Sequence, residues 1–298
     1  MTTGVVLFSH GSLLCGSEQA LIEHSARLRE FGVADIVEPG FLNYNNPTFP
    51  VGVARAIEKG ADTIVVAPYF LAPGKFVTYD LPKAIAATQG LYPTVRFIVA
   101  DPLGFDERLA NAVVQSAQNA SSRDCWRIDL HTAPAYCRYE AACPLFGGKY
   151  CSGGSEPIVI TGPEPSVIPP VGSEALLVMV HGSPRGNANE AALRIAELLR
   201  AQALFSCVEV GFMECNEPDI PMAIQTCVQS GANTITAVPY FLHTGTHVAD
   251  DLPTLLETAA IKYPDVLFRL GRFLGFSQAL TDILRDRITA VLPSSAPY

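Results

Sequence analysis

Pro239-Tyr240-Phe241-Leu242-His243-Thr244-Gly245-Thr246-His247-Val248-Ala249-Asp250-Asp251-Leu252-Pro253 repeats an earlier stretch of the same chain. That stretch is Pro68-Tyr69-Phe70-Leu71-Ala72-Pro73-Gly74-Lys75-Phe76-Val77-Thr78-Tyr79-Asp80-Leu81-Pro82, with nine identities in fifteen positions at an offset of 171. The same offset lays His10-Gly11-Ser12 over His181-Gly182-Ser183, and Gly40-Phe41 over Gly211-Phe212. It also pairs Gly60-Ala61 with Gly231-Ala232, Tyr92-Pro93 with Tyr263-Pro264, and Leu103-Gly104 with Leu274-Gly275. One ungapped register across so many separate blocks is the mark of an internal duplication.

Each copy alternates short apolar runs with amphipathic stretches. In the second copy, residues 175–180 form a continuous apolar run, as a strand buried on both faces requires. Residues 188–203 carry helical periodicity. Strand, helix, strand, helix, strand and helix follow at 207–212, 220–230, 234–239, 251–262, 266–269 and 277–292. The first copy repeats the order from Val5 to about Gln118. The expected fold is α/β, with two tandem-duplicated lobes, each a four-stranded parallel sheet with helices on both faces. The copies assign 1–120 to a first lobe, 121–173 to an insert rich in Gly, Pro, Ser and Cys, and 174–298 to a second lobe carrying the main site.

Apolar residues make up 49% of the 298 and charged residues 16%, which supports large cores and excludes a disordered chain. The formal charge is −9 and no run of Lys or Arg occurs, so neither nucleic acid nor an anionic membrane surface is an expected partner. The first ten residues lack the basic region of a signal peptide, and no apolar run reaches membrane-spanning length. The expectation is a cytoplasmic protein with reduced thiols. Two lobes in one chain make a monomer sufficient.

Sheets of this kind bind ligands beyond the carboxyl ends of their strands, so the two copies are best compared there. Both have His then Gly-Ser after the first strand, at His10 and His181. After the second strand the first copy has Asn43 where the second has Glu214; after the third, Phe76 stands where the second has His247. The second copy thus offers His181, Glu214 and His247 at three converging strand ends, while the first copy keeps one of the three. Two neutral imidazoles and a carboxylate suit a divalent first-row metal and also accept protons, so these three are the candidate catalytic set, with His181 and His247 as metal ligands. A hydrogen-bonded packing role is the competing reading for any single histidine. Ser12, Ser183 and Arg185 flank the strand ends, where loop amides at helix N-termini could take a substrate carboxylate. Gly182 to Asn187 lacks the Gly-Lys-Ser/Thr ending of a P-loop. His243, four residues before His247 in a loop-like run, is read as a secondary substrate contact, and His24 as a solvated helix residue.

Cys125, Cys137, Cys143 and Cys151 gather in the insert with His131, at spacings that match no standard zinc or ferredoxin pattern. A four-thiolate iron–sulfur or zinc site is one reading and independent thiols the other. Cys15, Cys207, Cys215 and Cys227 are scattered and read as core or surface thiols.

The strand-end His-Gly-Ser, the run from Gly211-Phe212 to Pro218 and, most specifically, Pro239-Tyr240-Phe241-Leu242-x-x-Gly245-x-His247-Val248-x-x-Asp251-x-Pro253 resemble the CbiX/SirB-type sirohydrochlorin chelatases. These are relatives of ferrochelatase and the anaerobic cobalt chelatases. The resemblance covers both copies and omits the insert. It implies a chelatase-like bilobal fold and a tetrapyrrole substrate. It also implies a metal-inserting lyase that needs no ATP, taking Co2+ on the cobalamin route or, alternatively, Fe2+ toward sirohaem. It maps the family's metal-binding histidines onto His181 and His247 and its acidic residue onto Glu214. In many long members the complete histidine pair lies in the first half, whereas Phe76 breaks it here. An iron–sulfur cluster in some relatives agrees with the cysteine-rich insert. The rival class is a non-catalytic metal or tetrapyrrole carrier, and a small-molecule binder of periplasmic type is weaker still.

Overall fold

The computed structural model describes residues 2–122, 126 and 173–292. Among the described residues, eight strands form two four-stranded, wholly parallel sheets. The first contains β1 (Thr3–Ser9), β2 (Ile36–Phe41), β3 (Thr63–Pro68) and β4 (Arg96–Val99) in the order β2-β1-β3-β4. The second contains β5 (Glu174–Val180), β6 (Cys207–Phe212), β7 (Thr234–Pro239) and β8 (Leu267–Leu270) in the order β6-β5-β7-β8. The helices are α1 (Gln19–Glu30), α2 (Phe49–Glu58), α3 (Leu81–Leu91), α4 (Arg108–Gln118), α5 (Glu190–Ala201), α6 (Ile220–Gln229), α7 (Leu252–Lys262) and α8 (Gln278–Thr289). Strand and helix alternate as the apolar periodicity requires.

Burial explains why the strands read as unbroken apolar runs. Val5 to Phe8 and Ala175 to Met179 are sealed from solvent, so both faces of each central strand are covered. On one face Val6 and Phe8 pack with Phe49, Val53 and Ala56 of α2 and Leu81 of α3. The second sheet repeats this with Leu177 and Met179 against Ile220, Ala223 and Ile224 of α6 and Leu252 and Leu256 of α7. Burying a side chain such as Leu177 is worth about 1.5–3 kcal/mol, so these layers carry much of the stability.

The repeat and the packing divide the chain differently. One compact unit comprises residues 1–13, 17–104 and 276–298; the other comprises 14–16 and 105–275. The helix ending the first copy, α4, thus packs on α5 and β7 of the second unit, while α8, ending the second copy, packs on α1 and β3 of the first. Boundaries at 120 and 174 follow the duplication; the packed units exchange their last helices. Apolar periodicity marks a face that must be buried but not the sheet that buries it. Ser116 shows how closely α4 is held, its Oγ donating to the carbonyl of Arg272 at 2.5 Å.

Helix α1 supplies a correction. His24 is fully buried rather than solvated: Nδ1 lies 2.8 Å from Thr281 Oγ1 on α8 and Nε2 lies 3.1 Å from the hydroxyl of Tyr69. Burial pushes the Tyr69 phenol well above its usual range; nearby Arg27 pulls the other way and Glu23 adds slightly. The neutral phenol thus remains a partner for the imidazole. Among the described residues no helix is long and apolar enough to cross a membrane.

Candidate metal centre

In both sheets the chain leaves the central strand toward one neighbour and returns on its other side. This creates a topological switch point between β1 and β3, and between β5 and β7, where open α/β sheets bind ligands. His181 follows β5 and His247 lies beyond β7, so both flank the second switch point.

The turn after each central strand is fixed by glycine. Gly182 has φ +91°, and a Cβ there would stand 2.0 Å from the carbonyl oxygen of Glu214; Gly11, at φ +86°, would meet Asn43 O at 2.1 Å. Only glycine permits both the left-handed backbone and that approach. Backbone bonds from Glu214 N to His181 O and from Asn43 N to His10 O, each 3.0 Å, then tie the strand-end loops together. Asn216 Oδ1 accepts from Ser183 N, and Asn45 Oδ1 from Ser12 N, each at 2.7 Å. The backbone amides of Ser12 and Ser183 are therefore committed internally, which leaves their side chains to face a substrate.

His247 opens a one-turn π-helix, His247–Asp251, that leads into α7; Phe76–Asp80 does the same before α3. Such wide turns recur at functional sites because they re-aim side chains. Here the turn brings the His247 ring to 5.1 Å from the His181 ring, centroid to centroid, at an interplanar angle of 74°. His247 Nδ1 lies 2.7 Å from Asp251 Oδ2, and His181 Nδ1 lies 3.1 Å from Gly182 O. Carbonyl and carboxylate oxygens only accept, so both rings donate from Nδ1 and carry their lone pair on Nε2. Two imidazoles held in this tautomer, one oriented by a carboxylate, make the arrangement that metal-ligating histidines adopt. His181 is exposed and His247 half-buried, so an ion can reach them.

Glu214 stands on the neighbouring loop with an exposed side chain. Among the described residues no group of three or more His, Cys, Asp or Glu surrounds a common metal position, so the structure assembles the histidine pair without a third protein ligand. Arg185 is exposed beside Ser183, whose Oγ accepts from Arg185 N at 3.2 Å, and His243 is half-buried upstream of the π-helical turn. Sequence reading gave Asp251, the hydrogen-bond partner of His247, no role. Its signal was the four-residue spacing from His247 inside the repeated block, which the first copy keeps as Phe76 and Asp80.

At the first switch point His10 has the same turn, Nδ1 lying 3.0 Å from Gly11 O, but its ring packs at 4.2 Å against Phe76. Asn43 Nδ2, an N–H donor, lies 3.4 Å from His10 Nε2. The one imidazole at this switch point thus faces a hydrocarbon ring and an amide donor instead of a second ligand. Cys15, Cys207 and Cys227 are half-buried or buried, whereas Cys215 is exposed beside Glu214 with φ +65°. The proposed ligands Cys125, Cys137, Cys143 and Cys151, with His131, lie outside the described residues.

Two duplicated parallel lobes, one bearing a paired-imidazole site at its switch point, define a tandem-lobe α/β protein of chelatase-like fold. The chain belongs to the CbiX family, whose model matches residues 4–120 and 175–291. It is 24% identical over 284 residues to a sirohydrochlorin cobaltochelatase of Priestia megaterium, covering 95% of this chain and 78% of that one. To a sirohydrochlorin ferrochelatase of the same organism it is 22% identical over 293 residues, covering 97% and 91%. Among solved structures it is similar to SirB from Bacillus subtilis with Fe3+, at a TM-score of 0.70 and 19% identity over 97% of this chain and 95% of that one. At that identity the likeness speaks for the fold.

Proposed function

We propose that this protein is an ATP-independent chelatase that inserts a divalent metal ion, Co2+ foremost, into sirohydrochlorin. Fe2+ insertion is the alternative, since the relatives include enzymes named for each metal and imidazole donors accept both ions. The observation that carries the reading is the pairing of His181 and His247 with both Nε2 lone pairs free.

Insertion exchanges one divalent cation for two pyrrole N–H protons. His181 and His247 hold the incoming ion through Nε2. As the ion passes to the ring nitrogens, each Nε2 is released and takes up one proton, so two imidazoles match two protons. Asp251 steadies the His247 imidazolium that results, and the exposed carboxylate of Glu214 passes protons on to solvent. Ser12, Ser183, Arg185, His243 and His10 are assigned to the substrate side of the strand ends.

The test is anaerobic incubation of purified protein with sirohydrochlorin and Co2+ or Fe2+, one metal at a time, following the ring's absorption. The expected result is catalytic turnover, lowered about 100-fold or more in His247→Ala. Stoichiometric binding without release of metallated product would make the protein a carrier, and full activity of His247→Ala would remove the site assignment.

A further inference from the structure

Four strands lie at sheet edges, and three of those edges are closed from within their own unit. Arg29 donates from Nη1 to the Val37 carbonyl on β2, and Arg200 donates from Nε to the Val208 carbonyl on β6 at 2.9 Å. On β8 the chain that follows α4 forms an antiparallel bridge, Ser121 and Leu270 exchanging N–H···O bonds of 2.9 and 3.1 Å. Arg269 anchors that chain, donating to the Ala120 carbonyl at 3.0 Å and to Glu174 Oε1 at 3.5 Å. The duplication puts Ile98 in place of Arg269, Thr3 in place of Glu174 and Leu292 in place of Ser121. The anchor is gone, and Leu292 N donates instead to the Ile288 carbonyl at the end of α8. Val99 on β4 is 46% exposed, whereas its counterpart Leu270 is 7% exposed.

Arg96 and Ala100 donate from N to the carbonyls of Asp62 and Val66. Phe97 and Val99, one step along the pleat, therefore turn their N–H and C=O groups away from the sheet. Among the described residues nothing bonds those four groups. Such an edge is a template for another strand. Centred on Ile98, β4 is its own complement. An antiparallel copy sets Phe97 opposite Val99 and Val99 opposite Phe97, so that every outward group of both copies finds a partner. Arg96 and Asp101, both exposed, flank this apolar centre, and the same two-fold brings Arg96 of each copy beside Asp101 of the other. We propose that β4 is a homodimer contact, in which two copies of this chain pair antiparallel about Ile98 and join two four-stranded sheets into one of eight. An edge of four residues is small beside a stable interface, so the dimer is weak, with a Kd on the order of 100 µM.

The experiment is analytical ultracentrifugation of the full chain from about 1 to about 300 µM, which brackets that Kd. The wild type should pass from monomer to mostly dimer over this range. Val99→Pro removes only an outward N–H and suits an edge strand, so it should keep the circular dichroism of the wild type and remain monomeric throughout. Arg96→Asp should weaken the dimer about tenfold at low salt, and Arg96→Asp/Asp101→Arg should restore it. In hydrogen exchange the Phe97 and Val99 amides should gain protection as the wild-type concentration rises. A wild type that is monomeric at the highest concentration, or a folded Val99→Pro chain that dimerises as the wild type does, would overturn the proposal. So would protection of both amides in the dilute monomer, which would assign the edge to the chain's own residues.

Discussion

The two switch points share a backbone and differ in what they offer a ligand. Each has the histidine after the central strand, the positive-φ glycine, the asparagine that closes the turn and the π-helical turn after the third strand. In the second unit that frame presents two imidazoles with free lone pairs and an orienting aspartate; in the first it presents one imidazole packed on Phe76. A frame of glycines and backbone bonds survives duplication because it is required for folding, while the side chains that project from it are free to diverge. The difference separates structural from chemical conservation within one molecule.

Breaking the second site should have the largest effect. His181→Ala and His247→Ala should each lower metal-insertion kcat/KM about 100-fold or more with the fold intact, read by the absorption assay and by circular dichroism. Asp251→Asn keeps the shape but weakens the carboxylate partner of His247. It should cost about 10–100-fold in metal affinity or activity, measured by Co2+ titration beside turnover. Removing Asn43 and Phe76 as the blocking pair sharpens the contrast from the other side. Asn43→Glu/Phe76→His should give the first unit a new Co2+ site, visible as a second equivalent in the same titration, whereas either change alone should not. The smallest expected effect on activity lies in the core: His24→Ala removes a hydrogen-bond partner of the buried Tyr69 hydroxyl and should lower unfolding stability by about 1–3 kcal/mol in urea melts, with kcat unchanged.

Elements whose burial is local were legible from residue patterns. Val5 to Phe8 and Leu176 to Met179 are sealed on both faces, so their unbroken apolar runs could be read as central strands, and the repeat then located both switch points. The pair His181 and His247 followed, because strand ends of a parallel sheet converge. What depends on distant packing was hidden. The exchange of α4 and α8 leaves each helix's periodicity unchanged. His24 has Glu23 and Arg27 for neighbours on α1, and only the arrival of Thr281 from α8 makes its environment an interior. Tyr240, the counterpart of Tyr69, shows the reverse: Ile195 takes the place of His24, and the Tyr240 hydroxyl is buried with no hydrogen-bond partner among the described residues. Asp251 escaped because the spacing to His247 gains meaning only once the π-helical turn is known.

Anaerobic titration of wild type, His10→Ala and His181→Ala with Co2+, followed by the ligand-field absorption of histidine-bound cobalt, puts the asymmetry of the two units to the test. The wild type and His10→Ala should each bind one equivalent with the same spectrum, and His181→Ala should lose it. Loss of the signal in His10→Ala with retention in His181→Ala would place the cation on the first unit and contradict the account.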